Sequence, residues 1–270
     1  MNKYTSIINF TLIFHYLRHL IRISQNTVSM KAMIFAAGLG TRLYPITKDK
    51  PKALAPFLNM SLLAYNLKYL SNYGIDEFII NTHHFADKIE QYLLLNNNFG
   101  LNIKLSYEEI LLDTAGGLAK ASQYFNKNED VLLYNVDVIT NIDIQRMYQL
   151  HLKENNKATL AVRNRDTSRY LLFDENNILV GWRNITSGEE IWCNESIDNV
   201  QQFAFSGIHW INTSLIKNLK PEKLSIVPFY LNVGKESNIM AFEHDSDYWF
   251  DCGKIENLKL AENHIINLDK

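Results

Sequence analysis

The segment KAMIFAAGLGTRLYPITKDKPK, from Lys31 to Lys52, limits what the rest of the chain can be. Its apolar run, Ala32 to Ala37, is short and bounded by glycine, which reads as a buried strand. Gly38 and Gly40 let main chain approach a ligand closely. Successive N–H groups in such a turn form a concavity that binds anions. Arg42 adds a planar fork matched to phosphate oxygens, and Lys52 adds a mobile point charge. Together these features describe a triphosphate cradle. Two familiar phosphate loops are excluded. Leu43 stands where a dinucleotide fingerprint needs its third glycine, and no P-loop string occurs.

The remaining sequence supplies a parallel sheet around that strand. Ser61 to Asn72 is expected to be a helix, with Leu62, Leu63, Leu67 and Leu70 on one face and Gly74 near its end. Phe78 to Ile80 is a strand ending at Asn81, Ala86 to Leu94 a helix, and Ile103 to Tyr107 a third strand. Such alternation of strand and helix means a parallel sheet covered on both faces. Ligands bind such sheets beyond the carboxyl ends of the strands. The glycine loop, Asn81 and the segment after Tyr107 all lie at such ends. Gly116 and Gly117 are expected just before a helix, where N–H groups would be free.

Val131 to Tyr134 is the most strand-like run and leads into Asn135-Val136-Asp137. A carboxylate there is placed to hold a divalent cation, or to cap the next turn. Asp143 is expected to cap a helix through Asn155, and Ala158 to Val162 to return as a strand. Leu171 to Trp182 reads as a hairpin, Arg183 to Asn199 as polar without a period, and Gln202 to Trp210 as a longer strand containing Gly207. Short helices follow at Thr213–Leu219 and Ser225–Asn232. The aromatic strand from Tyr248 ends in Asp251, followed by Gly253 and a final helix, Lys254 to Asn267. Read alone, Asp251 is an N-cap.

Composition narrows the function. Apolar residues make up 47% of 270, enough for a sizeable core. Lys and Arg number 27 against 29 Asp and Glu, which argues against a general nucleic-acid binder. Cys193 and Cys252 suggest free thiols in a reducing compartment. Residues 1–29 differ in composition and read as a leader outside a single domain of residues 30–270. Their apolar run from Ile7 to Leu17 is too short for a spanning helix.

The string G-x-G-T-R-L-x-P-x-T-x(3)-P-K at Gly38 to Lys52 resembles the signature of the sugar-1-phosphate nucleotidyltransferases, the NDP-sugar pyrophosphorylases. Thr114 to Gly117, Asn135 to Asp137 and Trp249 to Gly253 extend the resemblance in the right order, over about Met30 to Asn267. It implies an α/β, Rossmann-like mixed and mostly parallel sheet with helices on both faces, plus a small antiparallel sugar-side sheet. It implies nucleotide contacts at Ala36, Ala37, Gly38, Gly40, Thr41, Asn81, Thr114 and Gly116. Sugar contacts are implied at Asn135, Gly117 and Gly207. Arg42 and Lys52 would be the catalytic cations, and Asp137 and Asp251 the Mg²⁺ ligands. Val136 departs from the glycine common at that place.

The implied reaction joins a nucleoside triphosphate to a sugar 1-phosphate and releases pyrophosphate. The implied setting is cytoplasmic synthesis of cell-envelope polysaccharide by a monomer or homodimer, with no nucleic-acid partner and no stable membrane insertion. Arg163, Arg165, Arg169 and Arg183 lie close in sequence and favour an acidic sugar, hence UTP with N-acetylmuramate 1-phosphate. GTP with mannose or heptose 1-phosphate is the alternative. Two further readings are a phosphocholine cytidylyltransferase and a nucleotide-sensing module without turnover. The presence of Arg42, Lys52, Asp137 and Asp251 together argues against the last.

Overall fold

A computed structural model describes residues 30–268. The expected leader, residues 1–29, lies outside the described residues. The first half alternates as expected: β1 (Met30–Phe35), a small hairpin of β2 (Pro56–Phe57) and β3 (Met60–Ser61), then α1 (Leu62–Asn72), β4 (Ile75–Thr82), α2 (Ala86–Leu95), β5 (Asn102–Tyr107), α3 (Asp113–Ala121) and β6 (Asp130–Asn135). There follow β7 (Val138–Thr140), α4 (Ile144–Lys153), β8 (Ala158–Arg163), β9 (Arg169–Phe173), β10 (Leu179–Asn184), β11 (Glu189–Trp192) and β12 (Gln201–Asn212). The chain closes with α5 (Ile226–Val233), β13 (Ile239–Glu243), β14 (Trp249–Asp251) and α6 (Ile255–Leu268).

The main sheet has ten strands, with the path β11-β10-β9-β12-β6-β1-β4-β5 and with β8 and β13 attached through β12. Strand β1 pairs in parallel with β4 on one side and β6 on the other. It is buried on both faces, so alternate side chains enter opposite cores. Met33 and Phe35 join one cluster, and Ala32 and Ile34 the other. Burying a side chain such as Met33 or Ile34 stabilises by about 1.5–3 kcal/mol. The start of α1 is fixed locally, because Ser61 Oγ accepts from the Ala64 N–H at 3.1 Å. Asp143 does the same for α4, accepting from the Arg146 N–H at 3.0 Å.

The expected small antiparallel sheet is present as β9 to β11, joined to the main sheet through β12, which pairs antiparallel with β6. Other expectations need correction. The polar stretch after Arg183 contains β11, an edge strand with exposed residues, which hides its period. Gly116 and Gly117 lie inside α3, not before it. The Ala115 and Gly116 N–H groups donate to Leu224 O at 2.9 and 3.2 Å, so they are not free. The helix expected at Thr213–Leu219 is a 3₁₀ turn over Thr213–Ile216. Among the described residues, no helix is long and apolar enough to cross a membrane.

Two buried histidines make stability depend on pH. Burial pushes His209 down to about 3, where it meets Tyr230 Oη. Burial, reinforced by Arg163, pushes His244 down to about 4, with its Nε2 2.7 Å from Ser206 Oγ. Below about pH 6.5 the unfolded chain takes up protons that the native state refuses. Their stabilisation is therefore complete above that pH and is lost as pH falls towards the folded values. Each histidine is expected to remove roughly 1.4 kcal/mol per pH unit in that window. Urea titrations across the window check this, with His244→Gln expected to flatten the slope. A flat wild-type profile down to about pH 5 contradicts it.

Candidate active site

The order β5-β4-β1-β6 reverses direction at β1, so the switch point lies between the carboxyl ends of β1 and β6. There Phe35 pairs with Asn135. The chain leaves β1 into the glycine loop and leaves β6 into Val136-Asp137. The Val136 N–H donates to Phe35 O at 3.2 Å, which locks the two exits together. The Val136 side chain is fully buried in a core cluster, so valine at this place does not enter the site.

The glycine loop is held by its own chain. Gly40 has φ 66, and Thr47 Oγ1 donates to its carbonyl at 2.8 Å. A Cβ at Gly40 would lie 3.0 Å from Lys52 Cβ and 3.1 Å from Thr47 Cγ2, so both its conformation and its packing require glycine. Gly38 is different: only the tip of Lys52 stands near it, at 3.7 Å, which leaves its main chain open.

Short strands bring the distant aspartates together. Strands β7 and β14 pair antiparallel, with Val138 opposite Asp251. The Cys252 N–H donates to Asp137 O at 2.8 Å. A Cβ on Gly253 would sit 2.8 Å from Asp251 Oδ1, 3.0 Å from Asp137 Oδ2 and 2.8 Å from Arg42 Nη2. Both carboxylates and the loop arginine thus face one small space that glycine leaves open. Lys52 Nζ meets Asp137 Oδ2 at 2.8 Å, and Arg42 Nη1 lies 3.8 Å from Asp251 Oδ2. Burial would raise the Asp137 carboxyl, but the Lys52 ammonium and its hydrogen bond outweigh burial and hold it below the usual range. The donor set is hard, anionic oxygen, which suits Mg²⁺ completed by phosphate oxygens. The residues fit that ion, and Asp137 and Asp251 would be its protein ligands. Among the described residues, no cluster of three or more acidic, histidine or cysteine side chains forms a closed metal site.

A cavity of about 390 Å³ opens beside this point. Of the expected residues, Ala37, Gly38, Arg42, Lys52, Asn81, Thr114, Asn135 and Asp137 line it. Ala36, Gly40 and Thr41 belong to its supporting loop. The Ala36 N–H donates to Asn81 Oδ1 at 2.7 Å. Gly116 and Gly117 face protein, where a Cβ would meet Glu222 O at 2.0 Å and Glu108 Oε1 at 2.5 Å. Gly207, with φ 76, makes room for the Asn135 side amide, which a Cβ would meet at 2.5 Å. At each of these three glycines the packing leaves no room for a side chain.

Sequence reasoning missed Glu108, Asp113 and Lys223, all of which line the cavity. Glu108 is fully buried. Its Oε1 accepts from Asn81 Nδ2 at 2.7 Å and its Oε2 from the Leu112 N–H at 3.0 Å. It therefore fixes Asn81 and the cavity wall together. Asp113 accepts from Ser225 Oγ, and Thr114 Oγ1 accepts from the Ile226 N–H at 2.9 Å, which draws the segment carrying Lys223 into the wall. No local pattern announces such residues, because a charge in a loop looks like a solvated one.

The sequence matches the nucleotidyl transferase family over residues 31–175, the part that builds β1, the glycine loop, β6 and Asp137. The mannose-1-phosphate guanylyltransferase catalytic subunit beta of Dictyostelium discoideum is 24% identical over 230 residues, 83% of this chain and 61% of that protein. A UTP–glucose-1-phosphate uridylyltransferase of Synechocystis is 33% identical over 145 residues, 50% of this chain and 37% of that protein. The chain thus spans less than two thirds of either relative. An apo UDP-glucose pyrophosphorylase shares the fold, with a TM-score of 0.72, 16% identity, and coverage of 90% of this chain and 100% of that one. With the matched stretch covering more than half of its length, and the matched residues lining one cavity, the chain belongs to the nucleotidyl transferase family.

Proposed function

We propose that the protein transfers a nucleoside monophosphate from a nucleoside triphosphate to a sugar 1-phosphate, releasing pyrophosphate. The observation that carries this is the convergence of Arg42, Lys52, Asp137 and Asp251 at the switch point, beside an open cavity. The attacking phosphate oxygen is ionised near neutral pH, so the site needs no strong base. Its task is to bring two polyanions together, by positioning and charge neutralisation.

Each residue has a distinct part in that task. Gly38 exposes main chain to the triphosphate. Arg42, with a side chain 58% exposed, reaches out to the departing β- and γ-phosphates. Lys52, anchored on Asp137, stands over the α-phosphate. Asp137 and Asp251 would hold Mg²⁺, which supplies charge neutralisation at the reacting phosphates when bound. Glu108 and Asn81 keep the far wall in place for the nucleoside.

The relatives' names support GTP or UTP as donor, because one is a guanylyltransferase acting on mannose 1-phosphate and the other a uridylyltransferase acting on glucose 1-phosphate. The acidic-sugar reading loses part of its motive, since three of the four arginines have other partners or stand exposed. Arg183 pairs with Glu190 at 2.6 Å, Arg169 is exposed on β9, and Arg163 donates to Asp247 O at 3.2 Å. We therefore rank GTP with a neutral sugar phosphate such as mannose or heptose 1-phosphate first, and UTP with N-acetylmuramate 1-phosphate second. Pyrophosphate release measured for the four ribonucleotides against these sugar 1-phosphates tests the ranking. Exclusive use of UTP with the acidic sugar reverses it.

A further inference from the structure

Of those four arginines, Arg165 has surroundings that a surface charge does not need. It sits in the loop between β8 and β9, half-buried, with its guanidinium 4.7 Å from the Trp249 ring centre. Arg165 Nη2 donates to Phe205 O at 3.3 Å. Trp249 Nε1 donates to the next carbonyl, Ser206 O, at 2.9 Å. Both side chains thus hang on the irregular stretch of β12 between Phe205 and His209. Gly207 in that stretch packs against Asn135, which lines the cavity. Along β14, Trp249 and Asp251 are two apart and share a face. The ring of contacts therefore runs from Asn135 through Gly207, Ser206 and Trp249 to Asp251, and Arg165 is pinned on its rim.

The pinning leaves binding capacity unused. A guanidinium carries five N–H donors. Of those on Arg165, Nη2 has Phe205 O, and Nε is walled off from solvent with no protein partner, so the half-buried residue offers a ligand its terminal N–H groups. Leaving a buried donor unmet is unfavourable. Burial disfavours its charged form, and the nearby Asp251 carboxylate offsets that. A planar cation, held rigid by stacking and short of acceptors, is a preorganised receptor for an oxyanion. In the reading proposed above, Arg42 and Lys52 serve the triphosphate.

We propose that Arg165 receives the phosphate group of the second substrate and so selects a phosphorylated acceptor. This rests on the sugar 1-phosphate reading given above. Phosphate is favoured over a sugar carboxylate because Arg165 stacks on Trp249, two residues from Asp251 along β14, on the side of the acceptor where the reacting groups would meet.

Two variants and two measurements test it. Arg165→Gln is expected to raise KM for mannose 1-phosphate about 10-fold or more, with KM for the nucleotide changed less than about 2-fold. Arg165→Lys, which keeps the charge, should recover part of that loss. Calorimetric titration reads binding without turnover. Mannose 1-phosphate should bind wild type about 10-fold more tightly than Arg165→Gln, while lactate, a carboxylate without phosphate, should show no difference. An unchanged acceptor KM, a rise confined to the nucleotide, or a loss seen only with lactate overturns the proposal. If wild type binds mannose 1-phosphate and turns over no sugar phosphate, the proposed function fails, and the calorimetric comparison still decides the role of Arg165.

Discussion

Asp137→Ala is expected to lower turnover by about 1,000-fold or more while the fold persists. Two losses combine in this variant. The proposed Mg²⁺ would lose one of its two protein ligands, and removal of a single transition-state contact already slows enzymes by about 100-fold or more. Lys52 also loses its anchor, because its ammonium is held 2.8 Å from Asp137 Oδ2. Lys52 Nζ is then free to move away from the α-phosphate. The pair is largely buried, with side-chain exposures of 16% and 10%, so the unpaired lysine also destabilises the protein, by up to about 3–5 kcal/mol. Asp137→Asn keeps the volume and part of the hydrogen bonding, and separates the two effects. It should melt above Asp137→Ala, since Lys52 keeps a hydrogen-bond acceptor though not its counter-ion, and still lose most of its activity. Steady-state rates and thermal melts of both variants check this. Near wild-type turnover in Asp137→Asn contradicts the assignment.

Gly116→Ala is expected to cause the largest loss of stability from a single methyl group. A Cβ there would stand 2.0 Å from Glu222 O and 3.0 Å from Leu112 Cβ. The contact at 2.0 Å is with backbone, which cannot swing aside as a flexible side chain does. The strand of chain carrying Lys223 and Leu224 must move, and with it the Leu224 carbonyl that accepts from Ala115 and Gly116. Overpacking of this kind costs about 1–3 kcal/mol, and the broken backbone bonds place this case at the upper end. Because Lys223 and Thr114 line the cavity, nucleotide affinity should fall with stability. Denaturant midpoints and nucleotide titrations report the two quantities separately. A midpoint within experimental error of wild type contradicts the packing described for α3.

The parts of the fold legible in the sequence are those with strong local patterns. Short apolar runs ended by glycine or asparagine gave β1, β4 and β6, and the candidate cavity opens at their carboxyl ends. Ser61 and Asp143 marked helix starts because a cap is a local chemical event. The convergence of Asp137 with Asp251 depends on β7 and β14, each three residues long, which is too short to show a period. The residues Glu108 and Lys223 gave no signal, since their importance comes from what other segments place around them. The glycine pair misled for a related reason. Glycine before a helix and glycine inside a tightly packed helix read alike until the neighbouring chain, here Glu222 and Glu108, is in place. Arg165 was one of four arginines in the sequence, and only the packing of Trp249 distinguishes it.

The central claim is that one site joins a nucleoside triphosphate to a sugar 1-phosphate. Phosphorus NMR of a single mixture of protein, Mg²⁺, GTP or UTP, and mannose, heptose, glucose or N-acetylmuramate 1-phosphate tests it most directly. The account predicts that, for at least one pair, the sugar phosphate resonance declines as pyrophosphate and a sugar diphosphate ester rise in equal amounts. Orthophosphate or nucleoside monophosphate accumulating while every sugar phosphate stays untouched, or no change with any pair, contradicts it.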